Sequence, residues 1–182
     1  MALPDSLKKA ILQMPGKEKD KLLLRLINKD KNLVDRLHFE LIEDGSTLPE
    51  RREAIRSRIA KVAQMSQHSP GWIMMDMRSL SGDITHHVKI TKDKYGEIEL
   101  NIALLNDFFE NHPKQLTNYT SRSDKCALYI TKKTQTILKQ LAKLDEDYYV
   151  DFAESVEKLL QYVHSMCSQH YARQMELPRE WN

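Results

Sequence analysis

A chain of 182 residues is sized for one domain and is long enough to bury a sizeable core. Only 5 glycines and 6 prolines, beside 41% hydrophobic and 30% charged residues, exclude a collagen-like, disordered or turn-rich β-sandwich composition and point to helices. A net charge of +2 gives no general attraction to nucleic acid or to anionic surfaces.

The first residues, Met1 to Ser6, lack the basic start and apolar run of a secretory signal, and no later stretch is apolar over a membrane-spanning length. The expected location is therefore cytoplasmic, with no membrane partner. Asp5 or Ser6 caps a first helix carrying Leu7, Ala10, Ile11 and Met14 on one face, and Pro15-Gly16 stops it. A second runs from about Lys17 to Asn28 with Leu22, Leu23, Leu24, Leu26 and Ile27. A third follows Asp30 as far as Asp44 and is closed by Gly45, with Leu33, Val34, Leu37, Leu41 and Ile42 as its core face. Thr47, Pro49 and Glu50 form the predicted start of a fourth helix, which turns Ile55, Ile59 and Val62 inward.

Ser69-Pro70-Gly71 marks the next start. From Ile73 the apolar pattern runs through Met77, Leu80, Ile84, Val88 and Thr91 in helical phase across Gly82, which predicts one kinked helix. Thr91 to Gly96 is a turn, followed by a helix with a broad apolar surface at Ile98, Ile102, Leu104, Leu105, Phe108 and Phe109, ended by Asn111-His112-Pro113. Leu116 to Ser123 reads as a loop or a short helix. The most regular pattern comes last. Leu138, Leu141 and Leu144 lie on one face, Asp145-Glu146-Asp147 supplies a turn, and Phe152, Val156, Leu159, Val163 and Met166 continue on a second face to His170. This is an αα-hairpin, and its spacing recurs where Leu23, Leu26, Asp30, Leu37 and Leu41 stand. Residues 1–175 form one all-α domain and 176–182 a polar tail. Seven or eight helices in antiparallel αα-hairpins are expected, roughly as in HEAT-like solenoid stacking, with a compact helical bundle as the alternative.

The runs Lys19-Asp20-Lys21-Leu22-Leu23-Leu24-Arg25-Leu26 and Thr91-Lys92-Asp93-Lys94-Tyr95-Gly96-Glu97, with the closing Leu177-Pro178-Arg179-Glu180-Trp181, resemble a family of bacterial all-helical proteins to which no activity is assigned. The resemblance covers most of the chain. It implies an all-α bacterial protein and transfers no site residue.

Four groupings carry candidate chemistry. Asp35-x-x-His38 and Asp83-x-x-His86 each put a carboxylate and an imidazole on one helix face, as metal sites in helix bundles require, with Glu40, Glu43 and His87 as further donors. The ordinary explanation of His38, beside Val34, Leu41 and Ile42, is a hydrogen-bonded histidine at the edge of the core. His164-x-x-Cys167-x-x-His170 advances in steps of three and as a zinc site would need a fourth ligand from another helix, for which Cys126 is a candidate; such a set is more often a seam of helix packing. Arg51, Arg52, Arg56, Arg58 and Lys61 offer phosphate contacts, although Glu50 and Glu53 lie among them and no aromatic residue is interleaved. Trp72, Met74 and Met75 surround more of their helix than one stripe requires and suit an adaptable protein interface. Cys126 and Cys167, with no Cys-x-x-Cys pair, read as core thiols. No Gly-x-Ser-x-Gly, phosphate-cradling loop or His-Glu-x-x-His occurs, and no cofactor is implied. The expected function is a non-catalytic protein-interaction or scaffold role with a protein partner. Nucleic-acid binding through residues 51–61 and metal binding are the alternatives.

Overall fold

One helix is apolar over most of its circumference. In α6 (Lys94–Asn111), residues from Ile98 and Leu100 through Ile102, Leu104 and Leu105 to Phe108 and Phe109 are all buried, the pattern of a helix packed on most of its sides, with one strip at Glu99, Asp107 and Glu110 left polar. Those neighbours are α4 (Leu48–Ala63), α5 (Pro70–Thr91), α7 (Pro113–Leu116), α8 (Asp124–Leu141) and α9 (Tyr149–Ser165). The computed structural model describes residues 3–181, which hold ten α-helices, one short 3-10 turn at Glu146–Tyr148 and no strand. The protein is all-α. No helix among the described residues is long and apolar enough to cross a membrane.

The expected stripe of α9 is in place: Phe152, Val156, Leu159 and Val163 are buried, with Leu160 beside them. Its expected run to His170 is not. The chain turns extended at Met166 and starts again as α10 (Gln169–Gln174). In α5, Ser69 caps the first turn by accepting from the Trp72 N–H, and the helix continues without interruption past Gly82. Its inward face runs Ile73, Met77, Leu80, Ile84, His87 and Ile90, so the stripe drifts by one position from the expected Val88 and Thr91. The buried hydroxyls of Thr131 and Thr134 on α8 donate to the carbonyls of Ala127 and Ile130, at 2.9 and 3.0 Å, which satisfies them inside an apolar layer. At the C-terminal end, Leu177 is buried and the Trp181 ring packs edge-on against Tyr149.

The N-terminal helices differ. Neither α1 (Asp5–Gln13) nor α2 (Gly16–Ile27) contains a buried residue, and α3 (Lys31–Leu41) buries Phe39 alone. The expected core face of α3 is corrected accordingly: Leu33 and Val34 are exposed, and Leu41 and Ile42 are more than 70% exposed. Hydrophobic spacing shows which residues share a face but not whether anything covers that face. α3 rests on α5, α2 touches α3, and among the described residues α1 packs closely against no other helix.

A buried polar knot joins α4, α5 and α6. Asp93 caps α6 by accepting from the Gly96 N–H at 2.8 Å. The same carboxylate receives Arg52 through Nε at 3.1 Å and Nη2 at 2.9 Å, and His87 Nε2 at 3.3 Å. Arg52 also reaches Glu99 at 3.2 Å and lies over the Tyr95 ring. Burial alone would raise the Asp93 carboxyl, but hydrogen bonds from His87, Gly96 and Arg52 together hold it below the usual carboxylate range. Gly96 is required here by close approach. A Cβ at this position would collide with the Asp93 carboxylate and sit 2.6 Å from Arg52 Nε.

Gly→Ala inside a helix normally stabilises by about 1 kcal/mol. At Gly96 the sign should reverse, with a loss of about 3–5 kcal/mol, the range for breaking a buried ion pair. Urea denaturation of Gly96→Ala checks this, and a stabilised variant would remove the knot from the account. On α9, Leu159→Ala should cost about 2–5 kcal/mol through the lost methyl groups and the remaining cavity. The exposed Glu154→Ala should change stability by less than about 1 kcal/mol, because Lys158 pairs with Glu110 at 2.7 Å rather than with Glu154. Equal effects of the two substitutions would show that the buried face is misplaced.

Candidate functional site

Two of the candidate motifs meet. A cleft of about 490 Å³ opens between α3, α4 and α5, and its walls include Asp35 and His38 from one motif and Asp83 and His86 from the other. His86 Nε2 lies 3.8 Å from Asp35 Oδ2, so one member of each motif faces its counterpart across the α3–α5 junction. The remaining members turn to other partners. His38 Nδ1 is 2.9 Å from Glu43, and Asp83 Oδ2 lies 3.0 Å from Arg58 Nη1, a contact whose angle falls short of a hydrogen bond. The cleft's two carboxylates and two guanidiniums, from Asp35, Asp83, Arg51 and Arg58, cancel in charge. Among the described residues, no group of three or more His, Cys, Asp or Glu side chains is arranged to hold a metal ion. What the arrangement does is tie α4 to α5 through Arg58 and Asp83 and bring Asp35 of α3 near His86 of α5, leaving a polar groove.

The corner from α3 into α4 is the best-built part of this region. Asp44 and Gly45 both take positive φ, which turns the chain sharply, and the Gly45 N–H donates to the Phe39 carbonyl at 3.1 Å. Glu43 then receives Arg51 through Nε at 3.0 Å and Nη2 at 2.6 Å, together with the Thr47 hydroxyl and His38. Arg51 also lies over the Phe39 ring. The Arg51, Thr47 and His38 contacts pull the Glu43 carboxyl down to about 2.

The other arginines of α4 are engaged in the same way. Arg52 is held by Asp93 and Glu99, Arg56 makes a double contact with Asp107, and Arg58 lies on Asp83, while Lys61 is exposed. The basic stripe seen in the sequence is thus threaded with carboxylates from α5, α6 and the connections flanking α4 and α6.

His164, Cys167 and His170 do not converge on a common point. His164 Nε2 sits 2.9 Å from the Pro178 carbonyl, His170 lies against the rings of Tyr119 and Tyr171, and the break after Ser165 places Cys167 in the core. Burial pushes the Cys126 thiol up to about 12 and the Cys167 thiol up to about 11. Of the apolar candidates, Trp72 and Met75 are more than half exposed, one helical turn apart on α5, whereas Met74 packs against the core. The residue that sequence reasoning left out is Asp93, read only as part of a turn. An Asp three positions before a glycine that opens an apolar helix is a usable N-cap signal.

The Glu43 pairing fixes a pH dependence. A carboxyl near 4.5 when unfolded and about 2 when folded contributes stability that is complete above about 4.5 and is lost as pH falls toward 2. The melting-temperature gap between the native protein and Glu43→Gln should therefore be widest at neutral pH and narrow between pH values of about 4 and 3. A gap independent of pH would mean that Glu43 makes no net ionic contribution. Comparison of the chain with protein-family models, with curated proteins and with solved structures found no match.

Proposed function

We propose that this protein is a non-catalytic protein-interaction module that docks a partner along the arm formed by α1, α2 and α3. The observation that carries this reading is the exposure of Leu7, Leu12, Leu23, Leu24, Leu26, Leu41 and Ile42 on helices that bury almost nothing of their own. Isolated apolar residues on a surface need no explanation, but this many on three consecutive helices with so little buried surface supports a contact site. α1 and α2, at 9 and 12 residues, are also too short to be stable helices in water without packing.

Charge selects the partner's chemistry. Lys8, Lys9, Lys17, Lys19, Lys21, Arg25, Lys29, Lys31 and Arg36 outnumber Asp5, Glu18, Asp20, Asp30, Asp35 and Glu40 along the arm. The complementary surface is an amphipathic helix of another protein whose apolar stripe is flanked by Asp and Glu. Trp72 and Met75 on α5 offer a further apolar contact. A nucleic-acid role through α4 has less support, because Arg51, Arg52, Arg56 and Arg58 already meet carboxylates.

A synthetic amphipathic helix with a leucine stripe and glutamate flanks is the probe. It should bind the full chain, and binding should weaken by about tenfold or more in Leu23→Glu/Leu26→Glu, whose positions are exposed and tolerate charge. The same helix with lysine flanks should bind at least about tenfold more weakly. Fluorescence anisotropy measures both. Equal binding of the two peptides, no binding of either, or adsorption to phosphatidylglycerol vesicles without peptide binding would overturn the proposal.

A further inference from the structure

On the far side of α5 from the charge-matched cleft lies a larger one of about 640 Å³, walled by α5, α6 and α8, and the two share His86. Its electrostatics are the reverse of its neighbour's. Arg78, Lys89, Lys132 and Lys133 line it against the single carboxylate of Glu97, and none of the four cations joins an ion pair with another described residue. On α4 this protein pairs its arginines with carboxylates. Here it gathers cations and leaves them unmatched, which costs mutual repulsion and focuses a positive potential in the cleft.

Two further features belong to a ligand site rather than to a solvated groove. Asn101, 5% exposed, lines the inner wall, and its amide oxygen is shut from solvent with no hydrogen-bond partner; the Gln140 amide oxygen on the same cleft is in the same state. Buried amides are normally satisfied, and either can turn over to offer its oxygen to a donor in the cleft. Gly82, in the middle of α5, has nothing within 4 Å of where a Cβ would stand. Alanine there would favour the helix by about 1 kcal/mol, and packing gives no reason against it. The missing side chain leaves the exposed α5 wall of the cleft clear. The walls are held in register by Tyr129 of α8, whose hydroxyl meets Ser81 of α5 at 2.8 Å.

We propose that this cleft binds a small phosphorylated metabolite, with its phosphoryl group among Arg78, Lys89 and Lys132 and the hydroxyl or amino donors of its body on Asn101 and Gln140. The volume lies within the usual range for small-molecule sites, about 300–1,000 Å³. A nucleoside monophosphate and a sugar phosphate share this chemistry, an anion joined to a donor-rich body. Burial lowers the Lys133 amine to about 8, and a bound anion beside it would return it to full charge. The inference is independent of the N-terminal arm.

Isothermal calorimetry of the full chain at low salt, with AMP and glucose 6-phosphate as probes, tests it. One of the two should bind saturably, at least about tenfold more tightly than adenosine, glucose or inorganic phosphate. Lys89→Glu/Lys132→Glu, both exposed positions, should weaken that binding by about tenfold or more, whereas Lys114→Glu/Lys125→Glu, outside the cleft with the same change of charge, should leave it within about twofold. Gly82→Leu adds bulk on the α5 wall of the cleft while favouring the helix, so it should weaken binding by about tenfold or more with the circular dichroism spectrum unchanged. Which probe binds tells nucleotide from sugar phosphate. Saturable binding of neither, or affinity unaltered by both Lys89→Glu/Lys132→Glu and Gly82→Leu, would overturn the assignment.

Discussion

The ion pair between Asp93 and Arg52 is the constraint on which the arrangement of the core depends. A carboxylate this deeply buried is tolerable only when its lone pairs are filled, and Arg52, His87 and the Gly96 N–H fill them from α4, α5 and the start of α6. The apolar side chains of α6 fit any close-packed neighbour of suitable volume, whereas the knot accepts one register and one approach of α4. Specificity of packing thus comes in large part from a buried polar cluster at one end of a predominantly apolar helix, joined further along by the Arg56–Asp107 pair. Absence of a Cβ at Gly96 is what lets carboxylate, guanidinium and backbone meet in the same few ångströms.

Around this core the protein manages its charge in two contrasting ways. On α4 each arginine is neutralised by a carboxylate reaching across from another element, which ties α4 to α3, α5 and α6. Along the cleft between α5 and α8, and on the outer faces of α1 and α2, positive charge is left unmatched or in excess. The first pattern stabilises the fold. The second spends stability, and the places where it does so are the ones proposed for ligand and partner.

The sequence made the helices legible because their signals are local. Asp30, Ser69 and Asp145 cap the elements they precede, Gly45 closes α3 through a positive φ, and the stripe of α9 reads directly as a buried face. Distant relations were not legible. Arg52 and Asp93, or Arg56 and Asp107, stand far apart in the chain, so the arginines of α4 read as a free basic stripe. The meeting of Asp35 with His86 follows from how α3 lies on α5, which no spacing within either helix encodes. The leucines of α2 have the composition of a core and the exposure of a surface, and only the three-dimensional arrangement tells the two apart.

The two sequestered thiols have a practical meaning. Cys126 on α8 and Cys167 just before α10 are at most 1% exposed, and a thiol held near 11 or 12 exists as thiolate in only about one part in ten thousand or less at neutral pH. Alkylating reagents and disulfides therefore meet no nucleophile in the native state, while fraying of the arm leaves both thiols sheltered. Labelling them becomes a clock for opening of the core alone. Its rate separates motions of the first three helices from loss of the rest of the molecule.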